Sequence, residues 1–214
     1  VAPLDPREGG SWFGLNEEGL LVALTNRLDA RPFEDAPSRG QLVRTILSEA
    51  SSRSEAREQY RSLNPGQYNP HRILFLDAGG MNVFHRTTEG GERADGSDGI
   101  FYLDNHSGLI TDSERVTEEL PEAVEALREY DREQLEAFTA GHDPFFERDS
   151  ACLHLEEVAG TLSSSVLRID PTSGTVRYRF VQGQPCENTF QDVSLDDSLR
   201  DSILEGWTSP NDRR

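Results

Sequence analysis

Cys152 and His154 are the residues of this sequence whose types and spacing best suit chemistry. They flank Leu153 in a run typical of a β-strand, so both side chains are expected on one face of that strand. A thiol beside an imidazole can bind a metal ion, or can act as a nucleophile paired with a base. However, two ligands do not complete a zinc site, and a buried cysteine usually behaves as a small apolar residue. The sequence therefore favours a structural role for this pair and predicts no metal site.

Two asparagines lie at the ends of predicted strands, Asn26 after Leu20–Thr25 and Asn105 after Ile100–Asp104. An asparagine in such a position can cap a turn. Its side-chain amide can also donate a hydrogen bond to an oxyanion, because the sheet fixes the direction of the N–H groups. Spacing alone favours the turn-capping role.

No complete catalytic constellation is evident. The sequence has no Walker loop, no G-x-G-x-x-G turn between a strand and a helix, no H-E-x-x-H and no C-x-x-C. Its histidines are scattered, without a second histidine at i+3 or i+4. The glycine-rich, acidic segment Gly90–Gly99 lacks the ligand spacing of an EF-hand loop, so a solvated loop is predicted there.

The charge indicates the environment in which the protein works. Asp and Glu total 39, against 21 basic residues that are all arginine, and the formal net charge is −18. Acid excess without lysine is typical of proteins adapted to molar salt, where a Debye length of about 3 Å screens like charges. We therefore predict a halophilic, archaeal source. Nucleic acid is excluded as a partner, because no basic stripe exists to neutralise phosphates.

The composition also bounds the class of protein. Hydrophobic residues make up 35%, enough to bury a core, and the length of 214 residues favours one domain. Apolar runs such as Leu20–Leu24 are far shorter than the ~20 residues that span a bilayer. Two cysteines are too few for a disulfide framework, and the chain does not open on a signal peptide. These features predict a cytoplasmic protein.

Hairpins and helices must position the candidate residues. Polar turns at Asn16–Gly19 and Ala78–Gly80 each join two β-type runs, which indicates two hairpins. A lead-in at Pro37–Gly40 and a capping box at Ser52 and Glu55 predict two helices between these hairpins.

The second half is predicted to hold one long helix and then strands. The helix would place five residues on one face: Leu120, Val124, Leu127, Leu135 and Phe138. Three strands are predicted at Ala151–Leu155, Ser164–Ile169 and Thr175–Val181, and an acidic, irregular tail from Gln191. This order is typical of an α+β fold with mostly antiparallel sheets.

Several stretches together resemble a known family. Gly9–Leu20, Leu24–Arg27 and Ser38–Val43 closely resemble the NRDE family, also called the Transport and Golgi organisation 2 (TANGO2-like) family. Gly160–Ser165 resembles its G-T-R-S-S motif, with Leu162 in place of the arginine. Features similar to those of its haloarchaeal members lie at Cys152–His154 and Gly183–Glu187.

That family is similar to Ntn hydrolases of the choloylglycine hydrolase and penicillin V acylase type. The resemblance implies an αββα four-layer sandwich and cleavage of linear amide (C–N) bonds by an N-terminal cysteine, whose α-amine is the general base. In those acylases an N-E-x-G-L turn precedes an oxyanion asparagine. Asn16–Leu20 matches the turn, Asn26 matches that asparagine, and Asn105 falls where a second asparagine of the acylases would lie.

The departures from the family pattern set a limit on activity. Members begin with Met-Cys and carry Asn-Arg-Asp-Glu later, and Val1 corresponds to a point beyond both. We therefore expect an incomplete Ntn-hydrolase-like domain over residues 1–190, without its first strands and its nucleophile, followed by an acidic tail at 191–214. A fragment, an internal start and a degenerate paralogue all remain open, and each predicts an inactive chain.

A non-enzymatic role is the alternative. Eukaryotic relatives are associated with haem mobilisation and with lipid or Golgi homeostasis, which implies binding or trafficking of haem or another small hydrophobic ligand. His85, His106 or His154 would then be axial ligands. No other cofactor is expected. The expected partners are a small-molecule ligand or substrate and a second copy of the chain, paired through an open sheet edge.

Overall fold

A computed structural model of the chain describes residues 1–6, 8–27, 33, 35–63, 67–87, 90–96, 99–105, 109–110, 113–143, 150–155 and 159–208. These residues belong to two compact units. Unit 1 comprises Val1–Gly99, Leu103–Leu109 and Asp197–Arg214, and unit 2 comprises Ile100–Tyr102 and Ile110–Asp196. The structure is mixed α+β, and its larger sheets are antiparallel, as predicted.

The described elements are bounded as follows. The strands are β1 (Phe13–Leu15), β2 (Leu21–Asn26), β3 (His71–Asp77), β4 (Gly80–Thr87), β5 (Gly90–Gly96), β6 (Tyr102–Leu103), β7 (Leu109–Ile110), β8 (His154–Leu155), β9 (Ala159–Gly160), β10 (Ser163–Asp170), β11 (Thr175–Gln182) and β12 (Gln191–Asp192). The helices are α1 (Arg39–Glu49), α2 (Arg53–Ser62), α3 (Ser113–Glu119), α4 (Pro121–Glu129), α5 (Arg132–Thr139) and α6 (Asp197–Thr208).

Unit 1 contains a five-stranded sheet in the order β1-β2-β3-β4-β5. The pair Leu15 and Leu21 closes the first predicted hairpin, and the pair Asp77 and Gly80 closes the second. These pairs confirm both hairpin predictions. The hairpins could be predicted because turn residues lie within a few positions of the strands that they join.

The fifth strand corrects the prediction of a loop. Gly90–Gly96 pairs with β4 along its length, from Thr87 opposite Gly90 to Met81 opposite Gly96. The segment is glycine-rich and acidic, so its own side chains indicate no strand. Backbone hydrogen bonds to β4 decide its conformation, since β structure depends more on its neighbours than on intrinsic propensity.

Helices α1 and α2 pack against this sheet, and both were predicted. Ser52 caps α2 by accepting a hydrogen bond from the Glu55 amide at 3.3 Å. The Glu55 carboxylate accepts from the backbone and hydroxyl of Ser51 rather than completing the box with Ser52. The shared core is apolar and fully or almost fully buried, and it includes Leu20, Val22, Leu42, Val43, Ile46, Ile73 and Phe75.

Unit 2 contains three short helices where the sequence predicted one long helix. The first break falls at Leu120, because Pro121 has no amide N–H and cannot continue a preceding helix. The second falls at Tyr130, whose φ of 55° ends α4 in the left-handed conformation before Asp131 caps α5. The prediction of a single apolar face is wrong at Leu127, whose side chain is 45% exposed.

Strands β10 and β11 confirm two of the predicted strands and form a hairpin in unit 2. They pair over eight positions, from Ser163 opposite Gln182 to Asp170 opposite Thr175, and β12 adds to the edge of β11. Of the predicted strand Ala151–Leu155, only His154 and Leu155 are in a strand, paired with β9.

Helix α6 corrects the prediction of an irregular tail. Ile203 is fully buried, and the Trp207 indole donates a hydrogen bond to the Gly19 carbonyl at 2.9 Å. A Cβ at Gly206 would clash with the Glu18 carbonyl oxygen, so only glycine allows this approach. The spacing Leu199, Ile203 and Trp207 is a helical signal. None of the helices in the described part of the chain has the length and apolarity to cross a membrane.

Candidate functional site

Asn26 is the last residue of β2, and it lies opposite the first residue of β3, His71. It is exposed and lines a cavity of about 370 Å³ within unit 1. We call it the strand-end pocket, and its lining includes Ser11, Trp12, Leu24, Asn26, Arg39 and Asn69, together with the acidic residues Asp5 and Glu8. The structure therefore places one of the two predicted asparagines at a cavity of suitable size for a small molecule.

Close glycine contacts form one wall of the strand-end pocket. A Cβ on Gly10 would lie 2.7 Å from the Gly40 backbone, so this approach of the N-terminal segment to α1 requires glycine. The Ser11 amide donates to the Gly40 carbonyl at 3.1 Å, and the Leu24 amide donates to the Trp12 carbonyl at 2.8 Å. These contacts hold Trp12 beside the end of β2.

Arg39 contributes positive charge to the pocket. Its guanidinium donates to the Pro70 carbonyl at 3.0 Å, which fixes the side chain near the start of β3. Partial burial lowers the pKa of Arg39, but an arginine remains charged at neutral pH. The pocket therefore offers an amide, a guanidinium and an exposed indole to a ligand.

Asn105 lies near the same end of the sheet but does not line the strand-end pocket. Its neighbour Asp104 accepts hydrogen bonds at its carbonyl from Thr25 at 3.2 Å and from Arg72 at 3.1 Å. Thr25 directly precedes Asn26, and Asp104 directly precedes Asn105. The hydrogen bond between Thr25 and Asp104 therefore brings together the residues that precede the two asparagines. The role of either side chain in stabilising an oxyanion stays a prediction.

The hydroxyl groups around the pocket already make backbone hydrogen bonds. Ser11 is 2% exposed, and its Oγ lies 2.6 Å from both the Pro3 and Phe13 carbonyl oxygens. Ser38 is the N-cap of α1 and accepts from the Gln41 amide. Neither hydroxyl is arranged as an activated nucleophile, which would need a base within hydrogen-bond reach.

Asn16, the first residue of the N-E-x-G-L turn, has a structural role. Its Nδ2 donates to the Ala50 carbonyl at 2.8 Å and to the Leu47 carbonyl at 3.2 Å, while its Oδ1 accepts from the Leu20 amide. The side chain thus ties the first hairpin to carbonyl groups at the end of α1, which would otherwise lack an intrahelical partner.

Of the three histidines named for haem, the structure describes His85 in unit 1 and His154 in unit 2. His85 Nδ1 is 3.3 Å from Arg72 Nε, and because arginine only donates, Nδ1 accepts and a neutral ring carries its proton on Nε2. His106 lies outside the described residues. His154 lies in unit 2, with its Nε2 facing two sulfur atoms.

Two further residues, His142 and Cys186, lie beside the Cys152 and His154 pair, although no sequence pattern groups them with it. Cys152 Sγ is 3.4 Å from His154 Nε2 and 3.5 Å from Cys186 Sγ, and the His142 ring lies beside the His154 ring at 5.0 Å between centroids. The ligand atoms of all four residues lie within 4.8 Å of one another. We call His142, Cys152, His154 and Cys186 the Cys₂His₂ cluster.

Local desolvation and the Cys152 thiol raise the pKa of Cys186. Cys152 is buried and Cys186 is exposed, and both are free thiols. No spacing rule in the sequence links His142 and Cys186 to the pair, because they come from separate loops.

Comparison with known proteins gives one family. The model of the family described as Transport and Golgi organisation 2 matches residues 1–178. This region contains the strand-end pocket and every residue of the Cys₂His₂ cluster except Cys186. No curated protein matches the sequence.

Proposed function

The chain belongs to the Transport and Golgi organisation 2 family, and from that premise we propose that unit 1 binds a small acyl amide in the strand-end pocket without cleaving it. The proposal rests on the position of Asn26 at the end of a sheet strand and at the edge of a cavity of about 370 Å³. A donor held by a sheet is the arrangement that recognition of a carbonyl oxygen requires.

The other lining residues suit the rest of such a ligand. Trp12, 39% exposed, and Leu24 offer apolar surface to an acyl chain. Asn26 Nδ2 would donate to the carbonyl oxygen, and Arg39 would favour the negative end of the amide dipole. Ligand pockets combine apolar surface with placed polar groups, and this pocket has both, with a larger polar share that includes Asp5 and Glu8.

The positions of the hydroxyl and thiol groups support binding without turnover. Hydrolysis needs a nucleophile that attacks the carbonyl carbon and a base that accepts its proton. Ser11 and Ser38 use their hydroxyls in backbone hydrogen bonds, and neither Cys152 nor Cys186 can supply the α-amine of an N-terminal cysteine. In a hydrolase of this family type, the same donors would instead stabilise the oxyanion of the acyl-transfer intermediate.

The test is calorimetric titration of the chain with N-acyl amides of increasing acyl length, alongside the matching uncharged compounds in which CH₂–CH₂ replaces the CO–NH group. Asn26→Leu keeps the branched outline of the side chain but removes the donor, so binding of the amides should weaken about tenfold. Glu58→Gln, an exposed substitution on α2 outside the pocket, is the control and should bind as the wild type does.

Two results would contradict the proposal. Equal affinity for the amides and their CH₂ analogues, or unchanged affinity in Asn26→Leu, would show that no carbonyl is recognised at this position. Release of free amine from the bound ligand, followed by mass spectrometry, would show that the chain is a hydrolase by itself.

Haem binding through His85, His106 or His154 stays a prediction. Its measurement is a haemin titration of the full chain, in which a Soret shift that is lost on His154→Ala or His85→Ala would support it.

A further inference from the structure

We propose that His142, Cys152, His154 and Cys186 bind one Zn²⁺ ion in unit 2, in a closed site that joins three segments of the chain. The sequence predicted no metal site, because only two of these ligands are neighbours along the chain. The proposal is independent of the strand-end pocket, which contains none of the four residues.

The spacing of the ligand atoms matches the edges of a zinc tetrahedron. With Zn–S near 2.3 Å and Zn–N near 2.0–2.1 Å, tetrahedral ligand atoms lie roughly 3.3–3.8 Å apart. Cys152 Sγ is 3.4 Å from His154 Nε2 and 3.5 Å from Cys186 Sγ, while His154 Nε2 is 3.1 Å from Cys186 Sγ. Small outward shifts would thus place three ligands around an ion, and the fourth lies within 4.8 Å.

A hydrogen bond to the backbone orients His142. Its Nδ1 is 2.9 Å from the Cys152 carbonyl oxygen, and because a carbonyl only accepts, Nδ1 carries the proton. The lone pair of the neutral ring is then on Nε2, the atom left for a metal. Metal-binding histidines commonly hold their second nitrogen in this way, against a backbone carbonyl or a carboxylate.

The protein itself fixes the loops that present these ligands. The Cys152 amide donates to the Gly141 carbonyl at 2.9 Å, which joins the two loops that carry His142 and Cys152. Thr161 Oγ1 accepts from the Leu153 amide at 2.9 Å and holds the short strand that carries His154. These contacts are made by backbone and hydroxyl groups, so they do not depend on the ion.

A tight turn after β11 presents the fourth ligand. The Gln184 carbonyl accepts from the amides of Glu187 and Asn188, each at 3.1 Å, and Cys186 lies inside this turn. Gly183, with φ of 86°, starts the turn in a conformation that favours glycine. The Gly183 amide also donates to the Leu162 carbonyl at 2.8 Å, which anchors the turn to the start of β10.

Ligand chemistry favours zinc over other ions. Two sulfur and two imidazole ligands suit a borderline-soft ion in tetrahedral geometry, whereas Mg²⁺ and Ca²⁺ need oxygen ligands. As the ion binds, each thiol releases one proton to solvent, so two thiolates balance the 2+ charge and the imidazoles stay neutral. A complex with no net charge costs little to hold beside the buried Cys152.

The two other uses of these thiols leave part of the cluster unexplained. A disulfide needs the sulfur atoms about 2.05 Å apart, and it would involve neither histidine. A nucleophile with a base would use Cys186 and His154 but give no role to His142. A metal ion uses all four groups, and four protein ligands leave no open position, which is the arrangement of a structural site.

The first measurement is the zinc content of the purified full chain, with X-ray absorption at the zinc edge. We expect one Zn²⁺ per chain, with two sulfur and two nitrogen neighbours at about 2.3 and 2.0–2.1 Å. Replacement by Co²⁺ should give the visible spectrum of a tetrahedral site and thiolate charge-transfer bands. A strong chelator should lower the melting temperature of the chain.

Variants assign the ligands. Cys186→Ser and His142→Gln should each weaken Zn²⁺ affinity at least tenfold, while Glu187→Gln, which removes the carboxylate next to Cys186, should still bind one ion. Where a variant does not fold, the cobalt spectrum and the X-ray absorption of the wild-type chain identify the ligand atoms instead.

Three results would overturn the proposal: a folded wild-type chain that takes up no Zn²⁺ or Co²⁺, zinc coordinated without sulfur, or a Cys152–Cys186 disulfide found in the native protein by mass spectrometry of unreduced peptides.

Discussion

At the scale of single residues, His71 shows how burial controls charge. It is completely buried in unit 1, with its Nδ1 donating to the Asn69 carbonyl at 2.8 Å and its Nε2 accepting from the Tyr60 hydroxyl at 3.0 Å. Burial lowers the pKa of His71 from 6.5 to about 4; the hydrogen bond to Asn69 opposes this shift, and the charges of Arg39 and Arg86 add to it. The ring is therefore neutral at physiological pH.

This histidine should make the stability of the chain depend on pH. Below pH 6.5 the unfolded state binds a proton that the folded state excludes until about pH 4. The free energy of unfolding should therefore fall as pH decreases through that window, by up to about 3 kcal/mol. Urea unfolding at pH 7 and pH 5 measures the fall in the free energy of unfolding across part of this window. His71→Gln should lose most of this dependence, and equal pH dependence in both proteins would contradict the explanation.

At the scale of elements, Arg179 of β11 connects three parts of unit 2. Its guanidinium pairs with Glu136 of α5 and, at 3.0 Å, with Asp192 of β12, and it donates to the Phe190 carbonyl at 2.9 Å. The side chains of Arg179 and Glu136 are only 14% and 19% exposed. Such a pair differs from a surface ion pair, because removal of one partner leaves the other charge poorly solvated.

We therefore expect Arg179→Met to lower the free energy of unfolding by about 2–3 kcal/mol. Arg177→Met is the matched control, since Arg177 is exposed two positions earlier on the same strand, and it should cost under about 0.5 kcal/mol. Urea unfolding of both variants is the measurement. A second variant, Arg179→Met with Glu136→Gln, should recover part of the loss. Equal effects at both arginines would assign the loss to the strand rather than to the ion pairs.

At the scale of the whole molecule, the charge of −18 opposes folding at low salt through self-repulsion. Part of it is concentrated around a cavity of about 640 Å³ in unit 1, whose lining includes Glu17, Glu18, Glu55, Asp77 and Glu205. Asp77 pairs with Arg53, and Glu55 accepts hydrogen bonds from Ser51. Repulsion among such closely placed carboxylates should be sensitive to screening by salt.

The melting temperature should therefore rise as KCl increases from 0.1 to 2 M, because the Debye length falls from about 10 Å to below about 3 Å. The triple substitution Glu17→Gln, Glu18→Gln and Glu205→Gln should raise the melting temperature at 0.1 M and flatten its dependence on KCl. Sucrose at equal osmolality is the control for non-ionic effects. A triple variant with the wild-type dependence would contradict the role of this acidic cavity.

Halophilic origin, cytoplasmic location and a homodimer stay predictions. Gel filtration in high salt measures the oligomeric state.

Local signals were sufficient for much of unit 1. The turn Asn16–Gly19 and the cap at Ser52 act over three or four residues, so the hairpins and helices that they delimit are visible in the sequence. The position of Asn26 at the end of a strand follows from the same local pattern. The family match over residues 1–178 agrees with the motifs read from these segments.

Contacts between distant segments decided the remaining features. Strand β5 exists because the edge of β4 offers hydrogen bonds, and α6 is held where Trp207 reaches Gly19, 188 residues away. The Cys₂His₂ cluster has the same origin: Cys152 and His154 are two positions apart, but Cys186 comes 34 residues after Cys152. Periodicity and capping act between neighbours along the chain, whereas a four-ligand site depends on how folded loops approach one another in space.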